Sequence, residues 1–170
     1  AIVEIIKLGK NEKYQIIWAT GPKQYDIIKE ELENSNININ NVKNMKILPY
    51  IYNMEEIMNT VDAIVARSGA MTITEISNLG KPSILVPLPN VSHDHQLYNA
   101  KVLQNIDSAD IILDNELNGE ILNEKIEKII LDKNRCKIMG ENALKVSTND
   151  VEDKIYEQIM ETIKKYDTKK

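Results

Sequence analysis

The 170 residues predict an α/β domain built on a doubly wound parallel sheet. Three observations carry that prediction. Short apolar runs such as Val61 to Ala66 and Ser83 to Val86 have the character of strands covered on both faces, as strands of a parallel sheet are. Between such runs, stretches of about ten to fifteen residues repeat their apolar positions at helical spacing. Strand and helix then alternate along the chain, and right-handed βαβ units wind such an alternation into one sheet.

The elements follow in order. Ile2, Val3, Ile5, Ile6 and Leu8 form the tail of a helix. Tyr14 to Trp18 is a strand that breaks at Thr20-Gly21-Pro22, with Pro22 suited to the first position of a helix running to about Glu33. Asn34 to Asn44 is an asparagine-rich connector, because asparagine tolerates turn and left-handed backbone. Lys46 to Tyr50 is a strand, Met54 to Asn59 a short helix, Val61 to Ala66 a strand and Ala70 to Leu79 a helix. Ser83 to Val86 is a strand closed by Pro87 and Pro89. Asp94 to Asn105 is helical and Ala109 to Leu113 is the final strand. Asn118 to Leu131, Asp132 to Lys145 and Val151 to Lys165 are helices.

A chain of this length supports one well-buried domain, residues 1–170. The net charge is −5, with basic residues scattered among acids, which argues against a nucleic-acid partner and makes any phosphate site a local one. A single cysteine, Cys136, forms no internal disulfide and has no Cys or His neighbour in its charged helix, so it reads as structural or incidental. No signal-like segment or apolar run of membrane-spanning length is present, and the expectation is a cytoplasmic protein.

Ligands of doubly wound sheets bind at the carboxyl ends of the strands, so the loops after Trp18, Leu48, Ala66, Val86 and Leu113 carry the interest. The richest is Arg67-Ser68-Gly69-Ala70-Met71-Thr72-Ile73-Thr74-Glu75, where a buried strand ends and a helix opens on small and polar residues. Ser68 suits an N-cap, and Gly69 and Ala70 admit a ligand to the backbone. The unpaired first-turn amides and the helix dipole favour a phosphate. Glu75, further along, suits a neutral diol such as a ribose. A purely structural reading stands beside this one: Ser68 as an ordinary cap, and Thr72 to Glu75 as a Thr-x-x-Glu capping box.

Ser92-His93-Asp94-His95 lacks a third spaced ligand and reads as a helix start capped by Ser92 or Asp94, not as a metal site. Gln96 and Asn99, three apart, then share one face, and their amides both donate and accept, as sugar hydroxyls require. Ile51 after the second strand reads as core or as a backbone contact to a base edge, and Thr20 as a turn residue.

Three segments, Arg-Ser-Gly-Ala-x-Thr-x-x-Glu from Arg67, Gly80-Lys81-Pro82-Ser83-Ile84-Leu85-Val86-Pro87, and His95-Gln96-Leu97-Tyr98-Asn99-Ala100, together resemble the donor half of the MurG family. These are peptidoglycan N-acetylglucosaminyltransferases of the GT-B fold, and the resemblance runs from about Ile2 to Tyr166. It implies a Rossmann-like half-domain that binds UDP-N-acetylglucosamine for inverting transfer to lipid I, giving lipid II, without a metal or other cofactor. It implies substrate contacts from Thr20 to the phosphates, Ile51 to uracil through its backbone, Arg67 to Thr72 around the diphosphate, Glu75 to the ribose, and Gln96 and Asn99 to the N-acetylglucosamine. His95 stands where many members carry a second glutamine. The general base, the lipid I site and the membrane contact belong in the family to an N-terminal domain, so no catalytic residue is assigned here. The whole enzyme is then peripheral on the cytoplasmic membrane face, with the helix at about 151–165 packing back towards that domain.

The resemblance also implies that the chain is a fragment. In the family a first strand and a glycine-rich loop precede the helix at Ile2, and in the order 3-2-1-4-5-6 that strand lies between those at Tyr14 and Val61. The alternatives are the donor subunit of another GT-B transferase and a non-catalytic nucleotide-binding domain.

Overall fold

The computed structural model describes residues 1–89 and 94–147, together with Tyr156 and residues 158–160, which are helical. Ser92, His93 and most of the expected last helix lie outside the described residues. The elements run α1 (Ile2–Lys7), β1 (Ile16–Ala19), α2 (Pro22–Glu33), a 3-10 turn (Ile39–Asn41), β2 (Met45–Leu48), α3 (Met54–Thr60), β3 (Ile64–Ala66), α4 (Ala70–Asn78), β4 (Ser83–Leu85), α5 (His95–Asn105), β5 (Ala109–Ile111), α6 (Gly119–Ile130) and α7 (Lys133–Leu144). Every described element expected from the sequence is present. The strands are shorter than expected by one to three residues, at the start in β3 and at the end in β4 and β5, and β1 and β2 are also displaced along the chain by one or two residues.

All strand pairs are parallel, but they form two sheets: β1 with β2, and β3–β4–β5 with β4 central. The expected single sheet is thus divided between β1 and β3, where the family order puts its first strand. Ile17 in β1 and Val65 in β3 are exposed there, unlike the wholly buried β4.

Helix α1 joins the two parts. Its adjacent Ile5 and Ile6 enter different cores, Ile5 with Ile84, Ile112, Leu122 and Ile129, and Ile6 with Leu32, Ile39 and Ile47. A third core of Met58, Ile76, Leu85, Leu103 and Ala109 fills the opposite face of the three-stranded sheet, under α4 and α5. Leu85 and Ile84 therefore point to opposite faces, as adjacent strand residues must.

Helix ends follow local chemistry. Asn118 and Asp132 cap α6 and α7 through bonds of 2.9 Å from the amides of Ile121 and Arg135. Helix α4 closes in a Schellman turn: Gly80 at φ 60° bonds Ser77 O, and Lys81 N bonds Ile76 O, both at 3.1 Å. This Gly80 turn is gripped by α7. A Cβ on Gly140 would lie 2.6 Å from Gly80 O, so only glycine admits that approach.

Among the described residues no helix is long and apolar enough to cross a membrane.

Candidate functional site

At the carboxyl end of β3 the chain leaves the sheet through Arg67, Ser68 and Gly69 and enters α4 at Ala70. The N-cap is Gly69, with no side chain capping the helix. The amide of Ile73 reaches Gly69 O at 3.0 Å, while those of Ala70, Met71 and Thr72 meet no acceptor among the described residues. Three N–H groups at the positive end of a nine-residue helix are thus without acceptors among the described residues, next to exposed Met71. Unpaired first-turn amides at a helix N-terminus favour an anion.

Two expectations need correction here. Ser68 is not the cap: its side chain is fully buried and donates to Gln96 O at 2.7 Å, fastening the β3–α4 turn to α5. The capping box from Thr72 to Glu75 does not form, because α4 has already begun and Thr72 lies in its first turn. Glu75 is exposed and held by no partner among the described residues. Gly69 is required neither by its backbone, at φ −63°, nor by packing among the described residues, where a Cβ would meet only Thr72 Oγ1 at 4.0 Å.

Arg67 sends Nη1 across the mouth of the sheet. It donates to Asp114 Oδ1 at 2.5 Å, Val86 O at 3.3 Å and Pro87 O at 3.4 Å. One nitrogen thereby ties the ends of β3, β4 and β5 together.

Gln96 and Asn99 do share a face of α5, and each is half committed to the fold. Gln96 Oε1 accepts from Leu88 N at 2.9 Å, and Asn99 Nδ2 donates to Ser68 O at 3.1 Å. The other amide atoms, Gln96 Nε2 and Asn99 Oδ1, have no partner among the described residues, so an NH2 donor group and a carbonyl acceptor stay uncommitted there. Asp94 occupies the N-cap of α5 in left-handed backbone at φ 51°, and its carboxylate caps nothing.

Thr20 and Ile51 lie at the carboxyl ends of the other sheet. The Thr20 hydroxyl is shared between Gly21 O at 3.1 Å and Leu48 O at 3.3 Å, the bonding of a turn residue. Ile51 is buried, as the core reading expects, yet its N–H and C=O bond to nothing among the described residues. Its neighbours Tyr50 and Tyr52 stand exposed, edge to face, with ring centroids 5.0 Å apart. Asp114 was not singled out from the sequence. Its signal was positional, the acid just beyond the last strand, in one of the loops that face the ligand end.

The model of the glycosyltransferase family 28 C-terminal domain matches residues 1–156. The chain is 37% identical over 163 residues to a protein of Leuconostoc citreum named UDP-N-acetylglucosamine--N-acetylmuramyl-(pentapeptide) pyrophosphoryl-undecaprenol N-acetylglucosamine transferase, covering 96% of this chain and 44% of that one. A protein of the same name from Desulforamulus reducens is 40% identical over 147 residues, covering 86% and 40%. The chain thus spans less than half the length of these relatives. Among solved structures, Acinetobacter baumannii MurG superposes with a TM-score of 0.75 at 24% identity, covering 92% of this chain and 44% of that one. The glycosyltransferase VinC superposes at 0.66 with 14% identity, covering 85% and 33%. Both show the fold.

Proposed function

Because the chain belongs to the glycosyltransferase family 28 C-terminal domain family, we propose that it is the donor half of a MurG-type enzyme, binding UDP-N-acetylglucosamine for transfer to lipid I. The observation that carries this reading is the anion site: three amides at the start of α4 without acceptors among the described residues, Gly69 ahead of them with no close neighbour among those residues, and the Arg67 guanidinium at the mouth of the same sheet. The diphosphate lies across Ser68 to Thr72, with Thr20 on its far side. The ribose hydroxyls bond to Glu75, the uracil edge bonds to the free peptide groups of Ile51, and the sugar faces Gln96 Nε2 and Asn99 Oδ1.

Departure of UDP concentrates negative charge on the β-phosphate oxygens. Helix amides and Arg67 offset that charge without reorganising, which lowers the barrier at a fixed position. The acceptor hydroxyl attacks from the opposite face of the sugar, inverting the anomeric carbon, and its proton passes to a base in the N-terminal half. Lipid I and the membrane are met through that half, on the cytoplasmic face.

The divided sheet supports the same reading. A strand and glycine-rich loop from the N-terminal side complete it between β1 and β3, covering Ile17 and Val65 and bringing further amides to the diphosphate. Helix α1, seated in two cores, sets the opening that this strand enters.

The test is calorimetric titration of the full-length protein with UDP-N-acetylglucosamine, UDP and GDP. Uridine-selective binding that Glu75→Ala abolishes is the expected result. Equal affinity for UDP and GDP, or binding unchanged in the variant, would refute the placement of the nucleoside.

A further inference from the structure

We propose that Asp114 is a positioning residue for the donor: it holds one nitrogen of Arg67 so that the remaining N–H groups of the guanidinium are presented to the diphosphate. The inference rests on the donor-site reading above and deepens it. Arg67 and Asp114 are 47 residues apart and meet only because β3 and β5 flank β4. Among the described residues the three contacts of the guanidinium all fall on Nη1, where Asp114 supplies the charge and Val86 O and Pro87 O fix the direction. Nε and Nη2, three N–H donors in all, have no acceptor among the described residues, and the side chain is 46% exposed.

A guanidinium is a rigid planar fork, so anchoring one nitrogen sets the direction of the other two. Arginine otherwise loses considerable rotamer freedom when it grips a ligand. A residue that holds it in advance removes that cost from binding. The pair is itself at the surface, so it adds little to folding, and its effect falls on the ligand.

The experiment is a double-mutant cycle in the full-length protein, reading UDP affinity by calorimetry, KM and kcat for the donor, and melting temperature. Arg67→Ala weakens UDP. Asp114→Ala weakens it by about tenfold, the worth of one charge-assisted bond, and raises KM with the melting temperature nearly unchanged. Asp114→Asn, which keeps an oxygen acceptor, lies between. In the Arg67→Ala background Asp114→Ala has no further effect, since there is nothing left to position. Unchanged or tighter UDP binding in Asp114→Ala, with Arg67→Ala still weakened, would overturn this inference and leave the donor site standing. Additive losses in the two variants would also overturn it. If neither Arg67→Ala nor Glu75→Ala changes UDP binding, the donor-site reading itself fails.

Discussion

Replacing Gly69 by alanine separates what α4 needs to fold from what its N-terminus does. The residue sits at φ −63°, ψ 152°, backbone that alanine adopts freely, and among the described residues the added Cβ meets only Thr72 Oγ1 at 4.0 Å. Restricting the unfolded chain stabilises by about 0.4 to 1 kcal/mol. Alanine is a poorer N-cap than glycine, at a loss of about 0.5 to 1 kcal/mol. The two nearly cancel, leaving about 0.5 kcal/mol or less, which moves the melting temperature of a domain this size by about 2 °C at most. For the ligand the change is one-sided. A phosphate oxygen must approach the first-turn amides to about 2.9 Å, and a methyl group at the entrance of that turn keeps it away. Losing one charge-assisted bond of about 1.5 to 3 kcal/mol weakens UDP by about 10- to 150-fold. Scanning calorimetry and UDP titration of the full-length Gly69→Ala protein measure both quantities. Unaltered UDP affinity would show that no ligand passes Gly69. A melting temperature lowered by more than about 5 °C would show that the open space around it is misjudged.

Three further outcomes follow from the same structure. Glu75→Ala alters an exposed side chain and shifts stability by about 0.5 kcal/mol or less, while UDP binding falls by an order of magnitude or more; parallel loss of both would return Glu75 to a structural role. Gly140→Ala forces a Cβ to 2.6 Å from Gly80 O and destabilises by about 1 to 3 kcal/mol, with UDP affinity at low temperature unchanged, which thermal melts and titration separate. The Tyr14 hydroxyl donates to Asn123, and burial, followed by the nearby Glu127 charge, pushes its pKa up to about 12. The folded state therefore keeps the phenol proton that the unfolded chain releases near pH 10. The stability this provides is complete below that pH and is lost as pH rises through about 12. Tyr14→Phe should flatten the fall in melting temperature above pH 10; an unchanged slope would exclude Tyr14 as its source.

The alternation of strand and helix, the starts of α2 and α4 and the asparagine-rich connector were legible in the residues themselves, because each depends on neighbours a few positions away. Pro22 and the Gly80 turn act through local backbone geometry, and the spacing of Leu122, Ile126 and Ile129 marks the buried side of α6 without reference to its partner. The candidate site was legible to the same extent: a turn at a strand end, small residues and a helix start, set in motifs that resemble one family. What each side chain does there was not. Ser68 looks like a cap and is spent on Gln96 O. Gln96 and Asn99 look free and each gives one atom to the backbone. Arg67 meets an aspartate beyond the last strand. These bonds join residues 8 to 47 positions apart, and the longer-range ones, from Arg67 to Asp114 and between the Ser68 turn and α5, exist only once the strands lie side by side. The division of the sheet has the same origin. A strand's own residues specify that it is extended and apolar, but whether its edge finds a partner is decided by what the rest of the fold places beside it.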